Sequence, residues 1–310
     1  MKTHIDLVAA GGYSAAEWQA GFDACDAPIR VHEVADAPAC RYALAWGAQP
    51  ALYAAQPGLR AVFSMGAGVE HLLSDPSLPA DLPLIRLEDA GMAAQMAGYA
   101  VWGVLRHLRR FDESAAAARR GEDWGGWRSP PATGAPVGVM GLGMMGQATL
   151  AALAPLGFVL RGWSRSPREI AGVECHAGTA ALDRFLDGLD AVVCVLPHTP
   201  DTANLLNAAR FARLAKGALV LNAGRGSLIV DADLLAALDS GQLGAAVLDV
   251  FREEPLPAGH PYLTHPRVTA TPHIAARTQI PLTARQVADK IARLEAGLSV
   301  SGLVERARGY

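Results

Sequence analysis

Three segments of this sequence carry residues able to hold an anion and move a proton. They are LVLNAGRGSLI, AAVLDVFREEPLP and RVTATPHIAA, and they present Arg225, Glu254 and His273. An arginine stays charged at physiological pH and can grip a carboxylate through two hydrogen bonds. A histidine titrates near neutrality, so it can give a proton to a developing alkoxide. A carboxylate beside the ring favours its protonated form and fixes its orientation. Each segment starts as a short apolar run and then breaks into a loop. Open α/β sheets bind ligands at those strand ends. Singly, each residue has a plainer reading: a loop charge, a solvated acid beside Glu253, a structural histidine after Pro272. Together they predict a site that holds a 2-keto acid and protonates its carbonyl oxygen as a hydride reaches the carbon.

A source of hydride is implied by VGVMGLGMMGQATLAALAPLG, where Gly141, Gly143 and Gly146 have G-x-G-x-x-G spacing around Met144 and Met145. The first glycine allows a tight turn, the second lets a pyrophosphate approach the backbone, and the third lets helix pack on strand. The helix that follows would aim its first amides and its dipole at the phosphates. The next strand ends in WSRS, with Ser164, Arg165 and Ser166 where a ribose-binding acid is usual. A carboxylate there would accept the ribose hydroxyls of NAD and repel a further phosphate. An arginine instead neutralises a 2′-phosphate, with serine hydroxyls as extra donors. The expected cofactor is therefore NADP(H), with NAD(H) possible. The competing reading makes Arg165 a solvated arginine in a turn before Pro167.

Elements must exist to position these residues. IDLVAA, YALAW, LRAVFSMG and LIRLED read as strands, with SAAEWQAGFDAC and GVEHLL as helices between some of them. PVGVMG, FVLRGWS, AVVCVLP, ALVLNAG, AAVLDVF and RVTATPH form a second series of strands. Continuous apolar strands alternating with helices predict parallel sheets covered on both faces. The fold class expected is thus α/β, with two doubly wound parallel-sheet domains and an interdomain cleft. One long helix is expected from about 91 to 120, followed by GEDWGGWRSPPATGAP. QIPLTARQVADKIARLEAG reads as a helix returning to the first unit. That return makes the first domain discontinuous, residues 1–95 with 283–310, around a nucleotide-binding domain at 96–282.

Composition excludes other classes. A net charge of −3 gives no basic field for nucleic acid. Cys25, Cys40, Cys175 and Cys194 lie far apart with no C-x-x-C pair, so buried free thiols are expected rather than disulfides or a metal site. The opening MKTHIDLVAAGGYS lacks a secretory pattern, and no apolar run is long enough for a membrane span, which points to a cytoplasmic protein.

FSMGAGVEHLL, RLEDAGM, VMGLGMMG, WSRS, LNAGRGSLI, LLAALDSGQL, LDVFREEPLP, HPRVTATPHIAA and the terminal RARGY together resemble the D-2-hydroxyacid dehydrogenase family over essentially the whole chain. WSRS and RARGY narrow the resemblance to the glyoxylate/hydroxypyruvate reductase A type. It implies a Rossmann nucleotide-binding domain, a flavodoxin-like substrate domain and a homodimer built through the former, for which DWGGW would fit the interface. It also implies that Arg225 binds and polarises the keto acid, that His273 is the acid/base and that Glu254 orients it. The amides of Ala67, Gly68 and Val69 would take the substrate carboxylate. Asp249 would lie near the nicotinamide amide, Leu196 and Pro197 beside the cofactor, and His198 along its edge, with Asn222 and Ala223 also on the cofactor side. Trp46 would wall the pocket or belong to the core; Met92 and Arg277 are similar, weaker cases. The implied substrates are glyoxylate and hydroxypyruvate, giving glycolate and D-glycerate, or alternatively bulkier keto acids such as phenylpyruvate.

Two related enzyme classes do not match. The β-hydroxyacid dehydrogenases share the glycine loop but carry it at the N-terminus and use a catalytic lysine. Short-chain dehydrogenases need Y-x-x-x-K, which no tyrosine here satisfies. A non-catalytic dinucleotide sensor on the same fold is the alternative from another class.

Overall fold

The apolar runs become two parallel sheets in the computed structural model, which describes residues 4–122 and 128–309. The elements, in order, are β1 (Ile5–Ala10), α1 (Ala15–Asp23), β2 (Ile29–Glu33), β3 (Tyr42–Ala45), α2 (Pro50–Ala55), β4 (Ala61–Ser64), α3 (Glu70–Leu73) and β5 (Leu84–Ile85). Then come α4 (Met92–Leu108), α5 (Phe111–Arg119), β6 (Pro136–Met140), α6 (Met144–Leu153), β7 (Val159–Ser164), β8 (Val173–Ala177), α7 (Leu182–Leu186) and β9 (Ala191–Cys194). The chain closes with α8 (Ala208–Phe211), β10 (Ala218–Asn222), α9 (Asp231–Asp239), β11 (Leu243–Leu248), β12 (Val268–Ala270) and α10 (Ile280–Glu295). These elements divide between two compact units, Met1–Met92 with Arg277–Tyr310, and Ala93–Ala276.

In the first unit the strand order is β2-β1-β3-β4-β5. The returning helix α10 packs on α1, and Gly21 makes the approach possible, because a Cβ there would lie 2.6 Å from Ile280 Cγ2. The C-terminal segment then runs antiparallel beside β5: Arg86 N–H donates to the Gly302 carbonyl and Val304 N–H to that of Leu84, both at 2.9 Å. This covers a sheet edge that would otherwise expose unpaired backbone groups. Lys290, 5% exposed, fastens the same corner; its Nζ lies 3.0 Å from Glu88 Oε2 and donates to the Ser301 carbonyl at 2.9 Å.

In the second unit the order is β12-β11-β10-β9-β6-β7-β8, so the direction of winding reverses between β6 and β9. Both faces are covered. One packs Phe185, Leu206, Phe211, Leu234 and Tyr262, the other Val104, Leu150, Val193 and Leu221. That is why β9 and β10 are buried at every residue and read as unbroken apolar runs.

β2 and β8 do not stand out in the sequence, and both are edge strands. IRVHE and VECHA mix charged with apolar residues because part of each strand meets solvent. The long helix expected near 91–120 is two helices, α4 and α5, separated at Arg110, which takes a left-handed φ of 54°. The Ser129 hydroxyl donates to the Arg109 carbonyl at 2.7 Å, replacing a helical partner there. The DWGGW segment falls outside the described residues. All four cysteines are free, but only Cys40 and Cys194 are buried; Cys25 and Cys175 are partly exposed. Among the described residues no helix is long and apolar enough to cross a membrane.

Lys290→Ala should leave Glu88 with its charge and without its ammonium partner. Glu88 is partly solvated, so the expected loss is about 2–3 kcal/mol, below the full penalty for a broken buried pair. Urea unfolding measures it, and an unchanged midpoint would remove the ion pair from the account of how the C-terminal segment is held.

Candidate active site

The loop after β6 begins with Gly141 at φ +103°, a backbone region closed to most side chains. Its N–H donates to the Trp163 carbonyl at 2.8 Å, stitching the loop to β7. Gly143 caps α6, and a Cβ built there would meet nothing within 4 Å. At Gly146 a Cβ would fall 1.6 Å from the Gly141 carbonyl oxygen, so only glycine lets α6 sit this close to the loop. The first turn of α6 holds Met144, which is exposed, and Met145, partly buried against the core, and it contains no acid. Open space over Gly143 beside a helix N-terminus free of carboxylates fits a dinucleotide's diphosphate.

β7 pairs with β6 in a register that sets Met140 opposite Trp163, which puts Ser164 next to Gly141. The Ser164 hydroxyl donates to the Ser166 carbonyl at 2.7 Å and shapes the turn, while Arg165 and Ser166 are exposed. Residues 164–168 include no carboxylate. An adenosine ribose here would meet a guanidinium in place of an acid.

Arg225 stands between two glycines for a reason the sequence alone does not give. A Cβ on Gly224 would lie 2.5 Å from the Leu196 carbonyl oxygen, in the loop after β9. One on Gly226 would lie 1.9 Å from the Phe251 carbonyl carbon, in the loop after β11. The arginine is thus wedged between two neighbouring loops at the carboxyl end of the sheet. Asn222, fully buried, braces it from below: its Oδ1 accepts from Gly224 N–H at 3.1 Å and its Nδ2 donates to the Arg225 carbonyl at 2.9 Å. Ala223 is buried, its N–H on the Cys194 carbonyl at 3.0 Å. Leu196 is buried; Pro197 and His198 are half-buried, and His198 Nδ1 lies 2.8 Å from Ser227 Oγ.

His273 Nδ1 lies 2.8 Å from Glu254 Oε2, and Glu254 Oε1 accepts from the Phe251 N–H at 2.9 Å. Partial burial works to raise the Glu254 pKa. Hydrogen bonds from His273 and the Phe251 amide, with the charges of His273 and Arg225, outweigh it and leave the carboxyl below its ordinary 4.5. The sign follows from that depression. The carboxylate's stabilising pairing is fully present above the ordinary value and is lost only as pH falls through the lower folded one. At neutral pH Glu254 is an anion that can only accept, so Nδ1 is the donor and Nε2 is the nitrogen left for a substrate.

His273 itself occupies a left-handed backbone position, φ 53°. Such a conformation costs a non-glycine residue about 1–3 kcal/mol and persists only where its surroundings over-determine it. Asp249, 1% exposed, does so. Its carbonyl accepts from His273 N–H at 2.9 Å, and its carboxylate from Ile274 and Ala275 N–H, both at 2.8 Å, and from the Thr271 hydroxyl at 2.6 Å. Thr271 in turn meets the Tyr99 hydroxyl at 2.6 Å. Thr271, Tyr99 and Ser227 were not legible as site residues; hydroxyls in loops and helices carry no spacing signal. Among the described residues no group of three or more His, Cys, Asp or Glu side chains could hold a metal.

The sequence model described as "D-isomer specific 2-hydroxyacid dehydrogenase, NAD binding domain" matches residues 101–275. A glyoxylate/hydroxypyruvate reductase A from Serratia proteamaculans is 42% identical over 305 residues, 96% of this chain and 97% of that protein. The chain belongs to the D-isomer specific 2-hydroxyacid dehydrogenase family. Solved structures agree. An NADPH-dependent glyoxylate/hydroxypyruvate reductase from Sinorhizobium meliloti, in complex with NADP and sulfate, is 38% identical with a TM-score of 0.91, covering 99% of this chain and 100% of that one. A D-isomer specific 2-hydroxyacid dehydrogenase from Xanthobacter autotrophicus Py2, in complex with NADPH and MES, is 37% identical with a TM-score of 0.93 over the same shares.

This dehydrogenase carries its remaining candidate residues in the first unit. Trp46 is 39% exposed and so is no core tryptophan. Its ring covers Gly66, where a Cβ would lie 2.7 Å from Cζ3, and packs on His71 with centroids 4.0 Å apart. His71 was not singled out by the sequence; a histidine at the second position of a four-residue helix looks like any surface residue. The Ser64 hydroxyl accepts from Gly66 N–H at 3.2 Å and donates to the Gly68 carbonyl at 3.0 Å, which holds the 66–69 loop. Val69 N–H is occupied by Glu70 Oε2 at 3.0 Å, leaving Ala67 and Gly68 as the stronger candidates for anion donors. Met92 is buried and Arg277 exposed.

Gly146→Ala should abolish NADP(H) binding, because its methyl cannot coexist with the Gly141 carbonyl and α6 must move. Fluorescence titration with NADPH tests this. Binding of wild-type strength would show that the loop does not hold the diphosphate.

Proposed function

We propose that this dehydrogenase reduces small 2-keto acids with NADPH, glyoxylate and hydroxypyruvate foremost, giving glycolate and D-glycerate. The observation that carries the reading is the His273–Glu254 pair at 2.8 Å, with the charge of Arg225 acting on the same carboxylate. The substrate names rest on the relatives, among them the Serratia proteamaculans and Sinorhizobium meliloti reductases. The cofactor preference rests on Arg165 standing where a ribose acid would otherwise be, and on the NADP and NADPH held by two similar structures.

The nicotinamide ring, when bound, supplies a hydride for the keto carbon. Arg225 grips the substrate carboxylate and polarises the carbonyl. His273 passes the Nε2 proton to the forming alkoxide. Glu254 holds Nδ1, fixing the ring and stabilising its charge until the proton leaves. Gly141, Gly143 and Gly146 hold the diphosphate on α6, Arg165 and Ser166 the 2′-phosphate, and Leu196, Pro197 and Asp249 the nicotinamide half. The unit Ala93–Ala276 is the nucleotide-binding domain in this reading. The chain acts as a homodimer through that unit, where Trp102 and Phe111 leave large apolar side chains exposed.

Purified protein should oxidise NADPH rapidly with glyoxylate or hydroxypyruvate and slowly with phenylpyruvate, followed by loss of reduced-cofactor absorbance. His273→Ala should lower kcat by roughly 10²–10⁴ while NADPH still binds, the usual worth of a general acid. Binding without turnover on any keto acid would instead mark a dinucleotide sensor.

Arg165→Ala should weaken NADPH by about ten- to a hundredfold and NADH hardly at all, since a charge-assisted hydrogen bond to phosphate is worth roughly 1.5–3 kcal/mol. Equal loss for both cofactors would sink the 2′-phosphate assignment.

A further inference from the structure

The loops after β9 and β10 run side by side and meet at successive points. Ala223 N–H bonds the Cys194 carbonyl at 3.0 Å, and Gly224 lies against Leu196 closely enough to exclude a Cβ. The third meeting is between side chains, Ser227 Oγ and His198 Nδ1 at 2.8 Å. Arg225 sits on the span between the second and third points. Beyond it the Ser227 carbonyl accepts from Asn204 N–H at 2.9 Å, so the backbone of the span's far end is fixed to the later part of the same β9 loop. The His198 ring ties that end to the Pro197 stretch.

We propose that His198 is a positioning residue for Arg225, acting through Ser227. It clamps the far side of the arginine's loop to the strip Leu196–His198, so that the guanidinium is held against the segment that lines the cofactor. The chemistry suits a permanent clamp. With a neutral ring the serine hydroxyl donates to Nδ1; with a charged ring Nδ1 donates to the hydroxyl oxygen, so the link survives either state. Lining the cofactor edge would make His198 a contributor to NADPH affinity, whereas the clamp makes it a contributor to keto-acid affinity. The inference rests on the reading of Arg225 as the ligand of the substrate carboxylate.

Steady-state kinetics with glyoxylate at saturating NADPH, with NADPH Kd from fluorescence titration, decides between these. His198→Ala and Ser227→Ala should each raise the glyoxylate KM about five- to tenfold, the range a net hydrogen bond commands. Their kcat should change far less, and their NADPH Kd should stay within about twofold, as expected when an interaction made equally in ground and transition states is lost. The double variant should be no worse than either single one. His198→Asn, whose amide can still bond the serine, should recover most of the loss. Ser227→Ala removes a single hydroxyl and keeps the test valid if His198→Ala does not fold. An unchanged KM, an NADPH Kd that rises in step with KM, or effects that multiply in the double variant would each overturn the proposal. Wild-type protein that reduces no 2-keto acid would overturn the reading of Arg225 itself; active wild type with unaltered variants overturns the clamp alone.

Discussion

The buried carboxylate of Asp249 is the interaction on which the arrangement of the site depends. A charge removed from water must be met by donors or it costs several kcal/mol. Here the donors are two backbone amides and a hydroxyl, all from the stretch 271–275, and meeting them forces that stretch to turn back on the end of β11. The turn carries His273 in a left-handed conformation that an extended strand end would not reach. The imidazole is therefore aimed by an acid that need not touch a substrate. The Asp249 carboxylate is a structural anchor, with three of its acceptor positions filled.

Arg225 is placed by the opposite device, an absence of side chains. Its two flanking glycines admit the backbones of the Leu196 and Phe251 loops, so strands β9, β10 and β11 are locked together one residue either side of the guanidinium. Glu254 follows within the same β11 loop and is held by the Phe251 amide. Arg225, Glu254 and His273 thus hang on neighbouring strand ends of one sheet, next to the switch point where the glycine loop of β6 lies beside β9. Open parallel sheets leave their ligand crevice at that place.

Much of this was legible in the sequence, for a physical reason. Strands covered on both faces must be apolar throughout, so β6, β9, β10 and β11 announced themselves, and the polar residues at their ends stood out against them. The edge strands β2 and β8 did not, because solvent permits Arg30, His32 and Glu174 within them. The break at Arg110 was hidden too, since it depends on Ser129, a residue distant in sequence, satisfying a helix carbonyl. The same holds for hydroxyls. Ser227 and Thr271 act through partners on other loops, and nothing in their local spacing marks them. The glycines beside Arg225 were visible, but their purpose was not, since it lies in which backbone packs against each.

The charged groups around Glu254 also bear on how firmly the ring of His273 is held. Against the opposing effect of its partial burial, Glu254 is kept ionised by hydrogen bonds from His273 and the Phe251 amide, and then by the charges near it, Arg225 among them. A carboxylate bound at Arg225 would neutralise that guanidinium and add an anion close to the other groups. Every anion brought near the pair makes it harder to remove the proton that lies between Glu254 and the ring. An anion at Arg225 and retention of the Nδ1 proton are therefore coupled. The Nδ1 proton is thus held more firmly whenever an anion lies at Arg225, and the ring keeps the tautomer that turns Nε2 away from Glu254.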